Sequence, residues 1–206
     1  MKSYVIHFIR SGLTQANEEG IYAGTTEYEL SERGKEALYS LKERYTYPEA
    51  PILYSSPMKS CINTAKIIYP DKTPIIIDQI RECSFGDWEG KSYKEIENDP
   101  EYYSWIRNRE NTTPPNGESG KEFTKRVCTA FDLIVTGMMK TGNTEAIMVT
   151  HGGVIVTLLC ALAYPKAEFY DWIVDNGCGY SVRIIPSLWM RGRVMEVFDK
   201  VPKEKD

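Results

Sequence analysis

The chain has 206 residues, of which 42% are hydrophobic and 12% aromatic, enough for one buried core and too few for two typical domains. Its net charge of −4, with basic and acidic residues interspersed, argues against a nucleic-acid partner and favours a small molecule or a protein. No apolar stretch approaches the about 18 residues of a membrane span. Five scattered cysteines and two histidines indicate neither a disulfide framework nor a zinc site. We expect a single reduced, cytoplasmic domain over residues 1–206 that needs no metal or cofactor, and leave open whether it is a monomer or a homodimer.

Short apolar segments rich in β-formers alternate along the chain with segments of helical periodicity. The predicted strands are Tyr4–Ile9, Pro51–Tyr54, Ile75–Ile77, Ala146–Val149, Tyr180–Ile185 and Val194–Phe198. The predicted helices run from Ser31 to Tyr45, from Met58 to Tyr69, from the Ser119–Glu122 capping box to about Met138, and from Val154 to Ala163. Ser31 is the expected N-cap of the first helix, and Ser55 and Ser56 the expected cap of the second. A polar loop is expected between the first strand and the first helix.

The stretch from Arg81 to Pro115 is aromatic, charged and interrupted by prolines. It contains helical fragments at Tyr93–Glu97 and Tyr102–Arg109, a pattern typical of an inserted segment and not of a sheet core. We therefore predict a small helical cap at about residues 88–115. The whole pattern predicts an α/β fold: a three-layer sandwich in which helices flank a mostly parallel sheet.

Two polar clusters follow predicted strands directly. Arg10-Ser11-Gly12 ends the first strand, and His151-Gly152-Gly153 ends the strand at Ala146–Val149. Because ligands of such sheets bind at the carboxyl ends of the strands, we expect the two clusters to meet in one site.

Five motifs, in order along nearly the whole chain, resemble those of the histidine phosphatase superfamily. They belong to its phosphoglycerate-mutase-like branch and are most similar to small bacterial members of the α-ribazole phosphatase type. The motifs are Arg10-Ser11-Gly12-Leu13-Thr14 with Asn17, Gly20–Thr26 with Leu30–Gly34, Ser55–Ser60 with Thr64-Ala65, Arg81–Gly90, and Asn116–Ser119 with Arg126 and Thr150–Gly153. The family opening would have histidine at Ser11, and the second motif would have arginine at Ser60.

The resemblance implies transfer of a phosphoryl group to a histidine nitrogen and then to water or another acceptor. This reaction needs an uncharged nucleophile, cationic donors for the phosphate oxygens and an acid for the leaving group. In this chain the implied catalytic positions are Ser11, Glu82 as general acid and His151. The implied phosphate-binding positions are Arg10, Asn17, Gly24, Ser60, His151 and Gly152, with helix amides after Gly152 adding donors.

Serine at position 11 stands in place of the nucleophilic histidine, and the sequence offers no obvious replacement for that histidine. His7 lies four residues earlier on the same strand, about 13 Å away, and is expected to be a core histidine. A serine nucleophile would need a metal or an adjacent base, which the sequence does not indicate. Loss of the arginine at Ser60 is expected to cost about 10²–10³ in rate, and Lys59 points about 100° away along the helix.

Three hypotheses remain open. The first is an inactive or strongly impaired phosphatase, natural or engineered, that still binds a small phosphorylated molecule or an inorganic anion. The second is an active phosphomonoesterase that uses Ser11 or a directly attacking water, assisted by Glu82. The third is a protein-interaction module that binds no phosphate and presents the aromatic cap residues to a partner.

Overall fold

The protein is described by a computed structural model that covers residues 2–109 and 111–205. Met1, Glu110 and Asp206, which fall within the predicted domain and cap, lie outside the described residues. The strands are β1 (Tyr4–Arg10), β2 (Tyr45–Thr46), β3 (Ile52–Ser55), β4 (Ile75–Ile76), β5 (Glu145–Thr150), β6 (Ala163–Tyr164), β7 (Gly179–Ile184), β8 (Met195–Val201) and β9 (Lys203–Glu204). The helices are α1 (Gln15–Glu19), α2 (Glu32–Arg44), α3 (Lys59–Ile68), α4 (Tyr93–Ile96), α5 (Pro100–Arg107), α6 (Gly120–Thr141), α7 (Gly152–Leu162) and α8 (Pro186–Gly192).

Seven strands form the central sheet in the order β4-β3-β5-β1-β7-β8-β6. Only β7 runs against the direction of the others, since it pairs antiparallel with both β1 and β8. The remaining pairs are parallel, which confirms the predicted mostly parallel sheet. The short strands β2 and β9 form a separate pair.

Both faces of the central strands are buried, as expected for apolar strands in a parallel sheet. Alternate side chains of β1 face opposite sides: Ile6 and Phe8 belong to one apolar cluster and Ile9 to the other. The same alternation separates Met148 from Val149 on β5. Residues of α6, α7 and α8 complete the first cluster, and residues of α2 and α3 complete the second. The predicted three-layer sandwich is confirmed.

Helix α6 shows most directly how the sequence determines an element. Ser119 and Glu122 form the predicted capping box, in which the Ser119 hydroxyl accepts from the Glu122 amide at 3.2 Å and the Glu122 carboxylate accepts from the Ser119 amide at 3.0 Å. An apolar stripe at helical spacing is buried along the sheet, and its members are Phe123, Val127, Ala130, Phe131, Ile134 and Met138. This helix therefore anchors one layer of the sandwich.

Three local expectations were wrong or incomplete. The loop after β1 contains α1, which is started by a capping box between Thr14 and Asn17. Helix α3 begins after Met58, whose own side chain forms no cap; the Glu27 carboxylate accepts from the Lys59 amide at 2.9 Å, and the hydroxyl of Ser56, an expected cap, lies 2.8 Å from His151. Helix α8 was not predicted, although it starts at Pro186, a favoured first helical residue.

The predicted cap consists of α4, α5 and the irregular chain around them. Its aromatic side chains pack against one another and not around an open cleft: Trp88, Tyr102 and Trp105 are buried with Ile96 in one cluster. Tyr22, from the loop after α1, packs edge-on to this cluster and places its hydroxyl 2.5 Å from that of Tyr102. The cap is thus tied to the loop at residues 22–28.

Candidate active site

A small polar pocket of about 70 Å³ lies at the carboxyl end of β1. It has room for several water molecules or a small anion, since one water needs about 10–15 Å³. The pocket brings together all eight predicted site residues, which are Arg10, Ser11, Asn17, Gly24, Ser60, Glu82, His151 and Gly152. A larger groove of about 760 Å³, lined partly by Tyr54, Leu133 and Ile134, contains none of them.

The parallel pairing of β1 with β5 places the two predicted clusters side by side. Arg10 is in register with Thr150, so Ser11 and His151 leave the sheet at the same edge. The Ser11 amide donates to the Thr150 carbonyl at 2.8 Å, and the next amide, of Gly12, donates to the Thr64 hydroxyl at 2.8 Å. These backbone contacts hold the start of the loop rigidly over the sheet edge.

Arg10 is the cation of the pocket. One of its terminal nitrogens donates to the Val174 carbonyl at 2.6 Å, which leaves further N–H donors for a ligand. Burial lowers the pKa of Arg10, while the carboxylates of Glu82 and Asp175 act in the opposite direction. Gly152 lies against the guanidinium group, and a Cβ there would be 3.2 Å from Nε.

Glu82 is held by the start of α7 and by its own loop. Its carboxylate accepts from the Gly153 amide at 2.9 Å and from the Cys83 amide at 2.9 Å. A Cβ at Gly153 would lie 2.3 Å from Glu82 Oε1, so this approach requires glycine. Burial is the largest effect on Glu82 and raises its pKa, which favours the protonated form that a general acid needs.

The expected role of the α7 amides therefore changes. The Gly153 N–H was expected to face a bound anion, but it is already used by the carboxylate of Glu82. The helix N-terminus thus holds an acidic side chain of the protein itself, and the Gly153 amide is not available to a ligand.

Arg126, a residue of the fifth motif, fixes the loop that carries Glu82 through hydrogen bonds. Its guanidinium group makes a bidentate pair with Glu118 at 2.8 and 2.6 Å. The same group donates to the carbonyls of Gln79, Arg81 and Glu82. The position of Glu82 is therefore set by α6 as well as by α7.

His151 is 8% exposed and is turned toward buried groups. Its Nε2 lies 2.8 Å from the Ser56 hydroxyl and 3.5 Å from the sulfur of Cys61. Burial, and then the positive charge of Arg10 and Arg126, lowers the pKa of His151 to about 3. The imidazole is therefore neutral at physiological pH.

The Cys61 thiol is also excluded as a nucleophile. It is fully buried, and burial raises its pKa to about 12, so that the thiolate is not formed near neutral pH.

Ser11 and Ser60 line the pocket and are 7% and 6% exposed. Within residues 2–109 and 111–205, no histidine or carboxylate is hydrogen-bonded to the Ser11 hydroxyl, so the base that a serine nucleophile requires is missing there. Lys59, next to Ser60, does not replace an arginine, because its ammonium group lies 3.1 Å from Glu29 with the side chain largely exposed.

His7 is a buried core histidine, as expected. Its Nδ1 lies 2.8 Å from the Ser181 hydroxyl and its Nε2 lies 3.1 Å from the carboxylate of Glu145. Both ring nitrogens are therefore used within the sheet, three residues before β1 reaches the pocket.

Asn17 and Gly24 line the pocket in ways that the sequence did not reveal. The side-chain oxygen of Asn17 accepts from the Thr14 amide at 3.2 Å, so its amide group is the part left for a ligand. A Cβ at Gly24 would lie 1.8 Å from the Cys83 carbonyl. Glycine at this position is thus required for packing against the Glu82 loop.

Several lining residues were missed by the sequence analysis. They are Thr14, Ala23, Thr26, Tyr28, Met58 and Asn176. Asn176 donates to the Ser11 carbonyl at 2.9 Å, a contact across 165 residues that no local pattern indicates. Thr26 donates through its amide and hydroxyl to Glu89, which holds the loop at residues 22–28 against the cap.

No helix among the described residues is long and apolar enough to cross a membrane. No group of three or more histidine, cysteine or acidic side chains among them is arranged to bind a metal ion.

The fold and the pocket define an α/β protein with a small polar pocket at the carboxyl edge of a mostly parallel sheet. The model of the histidine phosphatase superfamily, branch 1, matches residues 6–194, and the chain belongs to that family.

Individual relatives agree with this assignment. The chain is 29% identical over 182 residues to the adenosylcobalamin/alpha-ribazole phosphatase of Escherichia coli, covering 85% of this chain and 88% of that one. It is 33% identical over 159 residues to the metal-independent phosphoserine phosphatase of Arabidopsis thaliana, covering 73% and 65% of the two chains. The crystal structure of the alpha-ribazole phosphatase from Shigella flexneri has the same fold, with a TM-score of 0.78 at 24% identity over 94% of both chains.

Proposed function

We propose that this chain binds a small phosphorylated molecule or an inorganic anion but cannot form a phosphohistidine. Its phosphatase activity is then absent or strongly reduced. The observation that carries the proposal is Ser11 at the end of β1, beside Arg10, in a chain whose two histidines both have their imidazoles hydrogen-bonded to other side chains.

Three features support an anion pocket. Arg10 directs unused N–H donors into it, and the small neutral side chains of Ser11 and Ser60 leave space for a ligand. The relatives named above are phosphatases, which favours a phosphate ester over other anions.

The same geometry argues against efficient turnover. In the described part of the chain, no histidine or carboxylate is hydrogen-bonded to the Ser11 hydroxyl, and no lysine or further arginine lines the pocket in place of the arginine expected at Ser60. Each lost donor is expected to cost about 10²–10³ in rate. Glu82, with its raised pKa, remains suited to protonate a leaving group.

A restoration series tests the proposal. Ser11→His, Ser60→Arg and the double variant are assayed with the wild type on a panel of phosphate monoesters. We expect wild-type turnover near background and a gain of at least about 10²-fold in the double variant over either single variant. Ser11→Asn combined with Ser60→Gln is the matched control, because it adds similar volume without a nucleophile or a charge.

A wild-type turnover number of about 1 s⁻¹ or more, typical of enzymes, would contradict the proposal. In that case Ser11→Ala separates the two active mechanisms. A lower rate would assign the attack to the serine, and an unchanged rate would assign it to water.

A further inference from the structure

A ligand with two negative charges needs more positive charge than this pocket provides. Among the described residues that line it, Arg10 is the one cation, and the one acidic side chain, Glu82, is held by burial toward its neutral form, so the lining offers at most one positive charge. His151 adds no charge, because its imidazole is buried against Ser56 and Cys61.

The nearest other cations are already paired. Lys59 lies 3.1 Å from the Glu29 carboxylate, and Arg126 lies 2.6 Å from that of Glu118 while donating to three backbone carbonyls. Asp175 adds a further negative charge close to Arg10. A single guanidinium group is thus all that remains to balance an incoming anion.

The other polar groups of the pocket donate hydrogen bonds without adding charge. They include the hydroxyls of Ser11, Ser60 and Tyr28 and the side-chain amide of Asn17. Such donors match phosphate oxygens but do not offset a second negative charge. Serine at positions 11 and 60 also leaves open the volume that a histidine and an arginine side chain would fill, and a second ester substituent needs such space.

We propose that this pocket selects a singly charged phosphate group, as in a phosphodiester, over the doubly charged group of a phosphomonoester. This inference rests on the proposed function, since it names the ligand class of the same site. A monoester loses its second proton near pH 6 and is doubly charged at pH 7.5. A diester is singly charged throughout this range and presents two free oxygens that fit the fork of Arg10.

The experiment compares phenyl phosphate with methyl phenyl phosphate, which differ in charge at pH 7.5. Binding to the wild type, Ser60→Arg and Ser60→Gln is measured by titration calorimetry or by NMR shifts. We expect the wild type to bind the diester more tightly than the monoester. Ser60→Arg adds a charge that favours the monoester, so we expect it to shift the ratio of the two Kd values by about tenfold or more. Ser60→Gln, of similar length without charge, should leave the ratio within about twofold.

A pH series shows whether a change in binding comes from protonation of the ligand or of the protein. Phenyl phosphate is expected to bind more tightly as the pH falls from 7.5 to 5, because it gains a proton near pH 6. Methyl phenyl phosphate does not titrate in this range, so any tightening must come from the protein, where Glu82 loses its negative charge on protonation. The charged or titratable groups facing Glu82 are Arg10 from β1, Arg126 from α6, His151 at the start of α7, and the thiols of Cys61 and Cys83.

The possible failures are distinguishable. If the wild type binds phenyl phosphate as tightly as the diester or more tightly at pH 7.5, the charge selection is wrong while the phosphate pocket stands. The same conclusion follows if Ser60→Arg and Ser60→Gln shift the ratio equally. If neither ligand binds the wild type or Ser60→Arg at any pH, the proposed function itself is wrong.

Discussion

His151 illustrates at the residue scale how burial determines chemistry. The imidazole lies among Ser56, Cys61 and the sheet edge, where solvent cannot stabilise a positive charge. Nearby Arg10 and Arg126 oppose protonation further, and the pKa falls to about 3. The residue can therefore accept or donate one neutral hydrogen bond to a ligand but does not contribute a charge.

This lowered pKa predicts a loss of stability in mild acid. The unfolded chain binds a proton at His151 below its ordinary pKa of 6.5, whereas the folded chain does so only near 3. The stabilising difference is thus present above pH 6.5 and is lost as the pH falls toward 3. Between pH 7 and pH 5 the loss from this residue is about 2 kcal/mol.

Urea unfolding of the wild type and of His151→Asn at pH 7 and pH 5 measures this effect. Other titrating groups act in both proteins, so the difference between the two free energies of unfolding isolates His151. We expect the free energy of unfolding of the wild type to fall by about 2 kcal/mol more than that of His151→Asn between pH 7 and pH 5. Equal acid-induced losses in the two proteins would show that the folded protein carries a protonated His151.

Part of the pocket is predictable from sequence at this scale, and the reason is topological. Arg10 and His151 each follow a buried strand, and parallel strands end at the same edge of a sheet. Asn176 and Tyr28 could not be placed in the same way, because they lie in irregular loops without periodicity. The pairing of His151 with Ser56 was likewise hidden, since a serine before a helix is more commonly its cap.

At the scale of elements, α6 should depend measurably on its cap. The Ser119 hydroxyl accepts from the Glu122 amide, and the Glu122 carboxylate returns two contacts to Ser119. Ser119→Ala removes the side-chain half of this exchange. We expect a loss of about 1 kcal/mol in the free energy of unfolding, or about 2–4 °C in Tm for a chain of this size.

Ser104→Ala is the matched control for the Ser119 variant. The chemical change is the same, but Ser104 is exposed inside α5 and its hydroxyl donates only to the Pro100 carbonyl four residues earlier. Alanine is favoured at such a position, so Tm should remain within about 1–2 °C of the wild type. A similar fall in Tm for both variants, measured by circular dichroism, would contradict a capping role for Ser119.

The elements found from sequence are those with a strong repeating pattern. Helix α6 combines a capping box with an apolar stripe, and β1 and β5 are continuous apolar runs. Helix α1 has five residues and α8 has seven, too few turns for periodicity to emerge. Their positions depend on tertiary contacts: Trp189 of α8 is buried on Phe131 and donates to Asp132 at 2.9 Å.

At the scale of the whole molecule, the apolar interior of residues 2–109 and 111–205 is divided into three clusters. Two lie on opposite faces of the sheet, and the third, around Trp88, Tyr102 and Trp105, lies in the cap. Among the described residues, the cap cluster contacts the pocket loops through Tyr22, which starts the loop at residues 22–28, and through Phe85, three residues after Glu82. The cap should therefore be able to open without unfolding of the sheet, as cooperative substructures of many proteins do.

Trp105→Ala tests this independence. Trp105 is 6% exposed and packs against Trp88 at 5.5 Å between ring centres, and its removal is expected to cost the cap about 3–5 kcal/mol. Amides at residues 86–107 and 22–28 should then exchange hydrogen at least about a hundredfold faster, since 1.4 kcal/mol corresponds to a factor of ten. Amides of β1 and β5 should keep their protection.

Phe131→Ala, which removes a fully buried ring from the sheet cluster, should instead accelerate exchange in the strands. If Trp105→Ala exposes the strands as much as the cap, the molecule opens as one unit, and the loop at residues 22–28 cannot move independently of the sheet edge that carries Arg10 and Ser11.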